Sequence, residues 1–378
     1  MKHVLLLGAG KIGTAIATYL RATGDYDVLV ADVNEQALAT VAEHAGVETI
    51  KLDVTNKAEL LGALKGRDAV LSALSFRFNP AVAEAALEAG ASYFDLTEDV
   101  ETTRRVKEIA KKAKEGQIFM PQCGLAPGFV GIVAYDLAKR LESIDSVQMR
   151  VGALPMYPTN MLKYNLTWST DGLINEYCNP CEAIHRGQRI EMLALEGLEH
   201  FSVDGVRYEA FNTSGGLGTL CETLDGRVDT LNYKTVRYLG HRDLADFLIN
   251  ELRMNNKRDT LKSILEDSVP MTTQDVVIVF CTVTGMVEGR YSQITDARKI
   301  YHGEVEGEHW SAIQITTAAG ICTVLDLHIE GKLPSKGFIR QEEVALPDFL
   351  ANRFGRYYDF AGHPAVTVKQ VEAVIEND

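Results

Sequence analysis

The sequence predicts an α/β protein: a doubly wound parallel sheet interrupted by an inserted α+β domain. Three observations predict it. The chain opens with an apolar strand, His3-Val4-Leu5-Leu6-Leu7, a tight glycine turn and a helical run from Thr14 to Leu20. Strand and helix signals then alternate through the first third. The middle third changes to segments rich in β-branched and aromatic residues, and an apolar stretch, Ser311 to Leu327, follows it.

The first turn reads Gly8-Ala9-Gly10-Lys11-Ile12-Gly13, a G-x-G-x-x-G set between a strand and a helix. A second strand, Asp27 to Ala31, ends in Asp32, about 20 residues on, which is the spacing of the Rossmann dinucleotide fingerprint. Each residue has a physical task there. Gly8 permits the tight turn, Gly10 leaves room for the pyrophosphate, and Gly13 lets the helix pack on the strand. The backbone through Lys11 and Ile12 brings the helix N-terminus, with its N–H groups and partial positive charge, to the phosphates. Asp32 is placed to accept hydrogen bonds from the adenosine ribose hydroxyls. That favours NAD over NADP, because a 2′-phosphate is repelled and Val33-Asn34-Glu35 offers no arginine to pair with one. The bland alternative is that Asp32 caps the helix predicted from Glu35 to His44.

The alternation continues with strand signals at 48–52, 69–74, 92–96 and 117–123. Helices are predicted over Lys57–Leu64, from Pro80 to Ala89 with Gly90 as its stop, and from Glu101 to Lys114. Ligands of such sheets bind outside the carboxyl ends of the strands. Asp53 and Val54 are therefore expected beside the adenine, Ala73 and Leu74 near the nicotinamide ribose, and Asp95 to Glu98 and Gly124 to Gly128 further along the same rim. In the middle, strands are expected at 147–151, 163–167, 182–185, 207–211 and 276–284, with helices over Asp243–Leu252 and Asp259–Leu265. The domain expectation is residues 1–125 plus about 320–378 for nucleotide binding, and 126–319 inserted for substrate and dimerisation. No internal repeat or low-complexity linker is evident.

Bulk properties narrow the function classes. The chain has 378 residues, 46% hydrophobic and 24% charged, and a formal net charge of −14. With no basic cluster to offset that charge, a nucleic-acid partner is not expected. No membrane partner is expected either, since no apolar run reads as long enough to span, and the first strand does not read as a signal peptide. The six cysteines sit mostly singly in apolar stretches. The pair Cys178-Asn-Pro-Cys181 has no second pair or histidines to make a zinc site, so no metal is expected. A reduced, cytoplasmic location fits this pattern.

Several further stretches carry a resemblance. Beside the glycine turn stand Gly124-Leu125-Ala126-Pro127-Gly128, Gly152-Ala153-Leu154-Pro155, Leu166-Thr167-Trp168-Ser169 and Leu173-Ile174-Asn175-Glu176-Tyr177. Ser214-Gly215-Gly216-Leu217 with Glu222-Thr223, and Thr235-Val236-Arg237-Tyr238-Leu239-Gly240-His241, complete the set. Over nearly its whole length the chain resembles the saccharopine dehydrogenase family, and within it the short L-lysine 6-dehydrogenase type. The resemblance implies a Rossmann domain, an inserted domain for substrate and dimerisation, and a C-terminal return to the first domain. It implies NAD(P)-linked oxidation of a carbon–nitrogen bond in a lysine-related amino acid, by a homodimer. Carboxynorspermidine or opine-type substrates, and a non-catalytic NAD-binding sensor, are the alternatives on this fold.

Amine oxidation by hydride transfer needs a clamp for the substrate carboxylate and a route for the amine proton. Arg237, within the family-like stretch, is the candidate clamp, because a guanidinium binds a carboxylate through parallel hydrogen bonds. Thr213, Ser214, Tyr238 and Lys163 are candidate substrate contacts. For acid–base work the candidates are Glu98, Asp95, Asp171 and His241, each with a structural alternative as a helix cap or packed side chain.

Overall fold

The computed structural model describes residues 1–361 and 366–376. They form two compact units: residues 1–129, 306–308 and 314–357, and residues 130–305, 309–313, 358–361 and 366–376.

The first unit is a seven-stranded parallel sheet. In chain order its first elements are β1 (Lys2–Leu7), α1 (Lys11–Ala22), β2 (Tyr26–Asp32), α2 (Glu35–Ala45), β3 (Glu48–Lys51), α3 (Lys57–Leu64) and β4 (Ala69–Ser72). They continue with α4 (Asn79–Ala89), β5 (Ser92–Asp95), α5 (Val100–Ala110) and β6 (Ile118–Met120). The spatial order is β6-β5-β4-β1-β2-β3, and the late strand Gly337–Phe338 pairs parallel with β6 at the outer edge. Strands covered on both faces by helices read as continuous apolar runs, and β1 has Val4 to Leu7 fully buried. Asn34, Asn56 and Asp99 cap α2, α3 and α5 with their side chains. The cap of α2 is thus Asn34 rather than Asp32. Helix α5 stops at Ala110, short of the expected Lys114.

The apolar stretch after the middle third is the helix Ala312–Ile329. At 18 residues and a mean hydropathy of 1.4 it is long and apolar enough to cross a membrane, which corrects the sequence reading. Of that window 83% is buried inside the protein, as in a core helix. Its residue Gly320 lies on the loop after β6, where a Cβ would come within 2.7 Å of the Cys123 carbonyl. The buried Asp326 carboxylate anchors its far end by accepting from the Tyr26 hydroxyl (2.5 Å), Asn352 Nδ2 (2.8 Å) and the Arg353 guanidinium (2.7 Å).

The second unit is built on a ten-stranded mixed sheet. Its strands are β7 (Ser143–Pro155), β8 (Cys181–His185), β9 (Gln188–Met192), β10 (Glu199–Val203), β11 (Val206–Asn212), β12 (Thr230–Tyr238), β13 (Asp275–Val287) and β14 (Arg290–Tyr301). The order is β14-β13-β7-β12-β11-β10, with β7 and β12 parallel and the hairpin β8–β9 set against β12. The strand Val368–Gln370 pairs with β14 at one edge, and Ala373–Ile375 pairs with β10 at the other. Only Val371 and Glu372 separate them, so the two edges meet and the sheet closes into a barrel. Closure also explains why residues 358–361 and 366–376, expected with the first unit, belong to the second. The barrel interior holds Leu154, Phe201, Val203, Tyr208, Val236, Ile278 and Phe280.

The opposite face of this sheet is covered by helices, among them Thr170–Cys178, His241–Asp246 and Arg258–Ser268, around Tyr164, Tyr177, Phe211 and Leu261. Residues 163–167, expected as a strand, form none; Leu166 makes a single bridge to Met271 and Lys163 has a φ of +50°. The helix predicted over 243–252 begins at His241 and changes at Phe247 to a π-helical turn through Glu251.

Candidate functional site

In the first unit the glycine turn is shaped by close approaches. Gly8 has a φ of +103°, and a Cβ there would lie 2.9 Å from the Ala73 carbonyl. A Cβ on Gly13 would lie 1.9 Å from the Gly8 carbonyl, so α1 can sit this close to β1 only with glycine at that position. Around Gly10 nothing lies within 4 Å of a Cβ position, and α1 starts there without a side-chain cap. This leaves open space in front of a helix N-terminus, which is what a pyrophosphate requires. Asp32 Oδ2 accepts from Ala9 N–H (2.7 Å) and Oδ1 from Asn34 N–H (2.9 Å), which fixes the carboxylate at the tip of β2. The chain therefore fits a dinucleotide here. Lys11 carries its ammonium with a pKa lowered by partial burial, and Ile12 is half-buried beside it.

Asp53 Oδ1 accepts from the Thr55 hydroxyl (2.7 Å) and its N–H (2.9 Å), hydrogen bonds that hold its pKa below the usual carboxylate value. It organises the turn after β3, with Val54 half-buried beside it. Ala73 N–H donates to the Leu7 carbonyl (2.8 Å), and Leu74 reaches within 3.4 Å of a Cβ on Gly8. The loop after β4 thus lies against the glycine turn.

The acid–base candidates separate on inspection. Asp95 is fully buried; its carboxylate accepts from the Tyr93 hydroxyl (2.6 Å), Thr97 N–H (2.8 Å) and Gln122 N–H (3.0 Å). Burial pushes its pKa up to about 6 against those bonds. It ties the ends of β5 and β6 together and has no face for a substrate, which corrects the catalytic expectation. Asp171 is engaged by Lys262 Nζ (2.7 Å) across two helices, a structural pair. Glu98 lies half-buried in the loop after β5, on the ligand-facing rim.

In the second unit β12 and its neighbours assemble a cationic centre. Arg237 is buried, with its guanidinium carbon 4.8 Å from the Tyr164 ring centroid and 5.7 Å from that of Tyr177. Its Nε donates to the Tyr177 hydroxyl (2.8 Å) and Nη1 to the Val236 carbonyl (2.9 Å). Burial works against its charge, but Tyr177, Tyr164 and Glu176 outweigh that and raise its pKa. His241 Nδ1 is 2.7 Å from the Leu162 carbonyl and Nε2 is 3.0 Å from the Tyr177 hydroxyl. A carbonyl can only accept, so Nδ1 carries the proton and Nε2 accepts from Tyr177. Burial, then the Arg237 charge, lowers the His241 pKa to about 3. His241 is therefore a neutral positioning group, not a free base: it aims the Tyr177 hydroxyl, which in turn holds Arg237.

Thr213 and Ser214 join this centre. The Thr213 hydroxyl is 2.7 Å from that of Thr235, and the Ser214 hydroxyl donates to the Asn175 carbonyl (3.1 Å). Gly216 leaves the space that the Tyr233 ring fills, since a Cβ would come within 2.2 Å of it. Two predicted contacts fall elsewhere. Tyr238 follows Arg237 on a strand and so faces the barrel interior, where its hydroxyl donates to the Pro155 carbonyl (2.8 Å). Lys163 is exposed and donates to the Leu239 carbonyl (2.8 Å). Sequence reasoning gave no site role to Tyr164, Asn165 or Thr167. Asn165 Oδ1 is buried without a hydrogen-bond partner among the described residues, a pattern that marks sites as well as strain, and the Thr167 hydroxyl lies against that of Tyr164. The available signal was a run of polar and aromatic residues that forms no regular element.

Fold and glycine turn together define a pyridine-nucleotide-binding protein of the Rossmann class, joined to a barrel-bearing second unit. The chain belongs to the saccharopine dehydrogenase family: its NADP binding domain matches residues 4–120 and its C-terminal domain matches residues 124–356. The chain is 29% identical over 213 residues to saccharopine dehydrogenase (NADP(+), L-glutamate-forming) of Saccharomyces cerevisiae, covering 52% of this chain and 45% of that one. It is 20% identical over 358 residues to the mitochondrial alpha-aminoadipic semialdehyde synthase of Mus musculus, covering 88% of this chain and 37% of that protein. The chain thus spans less than half the length of these curated relatives. Apo saccharopine dehydrogenase (L-Glu forming) from S. cerevisiae shares the fold, with a TM-score of 0.75 over 100% of both chains at 18% identity.

Proposed function

We propose that the protein is an NAD-dependent amino-acid dehydrogenase that oxidises a C–N bond of a lysine-related amino acid, saccharopine or L-lysine. The observation that carries this reading is the state of Arg237. It is a buried, charged guanidinium, fixed by Tyr177 and Val236 through Nε and Nη1, while Nη2 donates to no acceptor in the described residues. A pre-oriented cation with donors to spare fits a substrate carboxylate. Thr213 and Ser214 line the same centre, and His241 keeps the Tyr177 hydroxyl oriented.

Bound nicotinamide supplies the hydride acceptor. The chain's own tasks are to fix the nucleotide at the glycine turn, orient the amino acid at Arg237, and remove the amine proton. Glu98, half-buried in the loop after β5, is the proton acceptor in this reading, because it follows the strand whose carboxyl end is expected to face the nicotinamide. The preference for NAD rests on the fixed Asp32 carboxylate and on the exposed Val33 that follows it. The yeast relative's name specifies NADP(+), so coenzyme choice is the sharpest test of this detail.

A panel of saccharopine, lysine, ornithine and, in the reductive direction, carboxylated polyamine precursors, each with NAD and NADP, tests the function by absorbance of the reduced coenzyme. Turnover of saccharopine or lysine with NAD is expected; binding of nucleotide without turnover of any amine refutes the enzymatic reading. The reading includes a homodimer, and sedimentation of only monomer at micromolar concentration refutes that part.

A further inference from the structure

The second unit holds a cleft of about 320 Å3 that the dehydrogenase reading leaves unused. The end of the helix Thr170–Cys178 forms one wall, the connection from β9 to β10 a second, and the segment from Arg242 to Asn255 a third. The third wall departs from α-helical geometry. Leu252 N–H donates to the Phe247 carbonyl (2.9 Å), five residues back, and closes the π-helical turn Phe247–Glu251. Such turns recur where a helix gathers side chains for binding. The short 3-10 turn Met254–Asn256 follows and brings Asn255 into the same wall.

The groups this cleft offers a ligand are mostly acceptors. Asn255 Oδ1 is buried with no hydrogen-bond partner among the described residues. Glu196 is exposed, and no described cation pairs with its carboxylate. Asn250 turns its Nδ2 to Asp246 Oδ1 (2.6 Å), which leaves its own amide oxygen to face a ligand. Arg242, the cation of the lining, is committed: Nε donates to the Leu195 carbonyl (2.8 Å), Nη1 to Asp243 (3.2 Å), and Nη2 lies 3.6 Å from Asp246. The neighbouring Arg258 donates to Asn175 (3.3 Å) and Asn179 (2.9 Å) and is not part of the lining. A buried acceptor without a donor is costly, so the cleft favours a ligand that brings N–H groups and positive charge. An alkyl ammonium supplies both at its head, and its apolar stem suits Leu193, Ala194 and Pro180.

We propose that this cleft is an accessory binding site for an alkyl ammonium ligand, separate from the Arg237 centre. Tyr177 belongs to both: it lines the cleft, and its hydroxyl accepts from Arg237 Nε (2.8 Å). The ligand needs no carboxylate, which sets it apart from the amino acid proposed for Arg237.

Calorimetry on the full-length protein tests this with 1,5-diaminopentane, which offers ammonium groups and no carboxylate. Saturable binding is expected, with a Kd of about 0.1–5 mM for so small a ligand. Pentanoate, with a similar stem and the opposite charge, should not bind. Tetramethylammonium, a cation without N–H donors, should bind at least about fivefold more weakly than the diamine. Glu196→Gln and Asn255→Leu should each weaken diamine binding about 3- to 10-fold. Ala194→Phe should fill the cleft and abolish binding, while Arg237→Gln should leave it unchanged. A melting curve confirms that each variant is folded; Glu196 is exposed, so Glu196→Gln decides alone if the other cleft variants unfold. No saturable binding up to about 20 mM diamine overturns the proposal. So does binding that the folded cleft variants leave unchanged, and so does pentanoate or tetramethylammonium binding as tightly as the diamine. Binding lost in Arg237→Gln also overturns it, because the amine then sits at the substrate centre.

Discussion

Replacing Arg237 by lysine or glutamine tests the proposed substrate clamp directly. Of its donors, Nε is committed to Tyr177 and one Nη1 hydrogen to Val236, so the proposal leaves Nη2 and the remaining Nη1 hydrogen for a substrate carboxylate. A charge-assisted hydrogen bond contributes about 1.5–3 kcal/mol, and the end-on pair is expected to contribute about 2–3 kcal/mol. That corresponds to a loss of roughly 30- to 150-fold in kcat/KM for Arg237→Gln. Lysine restores the charge without the fork, and cannot reach both Tyr177 and the substrate, so Arg237→Lys should recover only part of the loss. The assay is steady-state kinetics with saccharopine and lysine at saturating coenzyme, with a melting curve to confirm folding and an NADH titration to confirm the first unit. NADH affinity should be unchanged. A folded Arg237→Gln protein with near-native kcat/KM refutes the reasoning and makes Arg237 a structural spacer for Tyr164 and Tyr177.

Three further outcomes are expected. Asp32→Ala removes the acceptor for Ala9 and Asn34 and should cut kcat/KM with NAD by about 10- to 100-fold, the worth of one or two charged hydrogen bonds; adding Val33→Arg should raise use of NADP. Equal or better activity of the native protein with NADP contradicts the assignment. Gly13→Ala places a Cβ 1.9 Å from the Gly8 carbonyl, so α1 must shift; a cost of about 1–3 kcal/mol and loss of NADH binding by titration are expected, and native binding refutes the close-packing account. For His241 the folded pKa of about 3 lies below an unfolded value near 6.5. The unfolded chain takes up the proton first, so this residue's contribution to stability is present above about pH 6.5 and is lost as pH falls toward 3. The destabilisation caused by His241→Gln, measured by urea unfolding, should therefore shrink by about 2 kcal/mol between about pH 7.5 and pH 5. A penalty independent of pH means that the ring is not buried neutral.

Local pattern carried the first unit far. The turn from Gly8 to Gly13 is legible because its three glycines fall at a fixed spacing between an apolar strand and a helical run, with an acid at the tip of the next strand. Apolar runs buried on both faces fix the parallel strands for the same reason. Short-range reading failed where a residue's role depends on what approaches from afar. Asp95 reads as a rim carboxylate until Gln122 N–H and the Tyr93 hydroxyl are seen to occupy it. Tyr238 reads with Arg237 in one motif, yet alternation on a strand sends it to the opposite face.

By itself, the sequence determined the doubly wound sheet, the nucleotide turn with Asp32 at the next strand tip, the change to an α+β middle, and Arg237 as the residue to examine. Tertiary structure decided the rest. It closed the second sheet through a strand pair only two residues apart, drawing the C-terminal segment into that unit. It set His241, Tyr177 and Arg237 into one hydrogen-bonded line from helices and a strand separated by about 60 residues. It also withdrew Asp95 and Asp171 from the list of free carboxylates. The physical reason is the range of the forces involved: backbone geometry and burial periodicity act over a few neighbouring residues, while proton positions, ion pairing and strand closure depend on groups that only folding brings together.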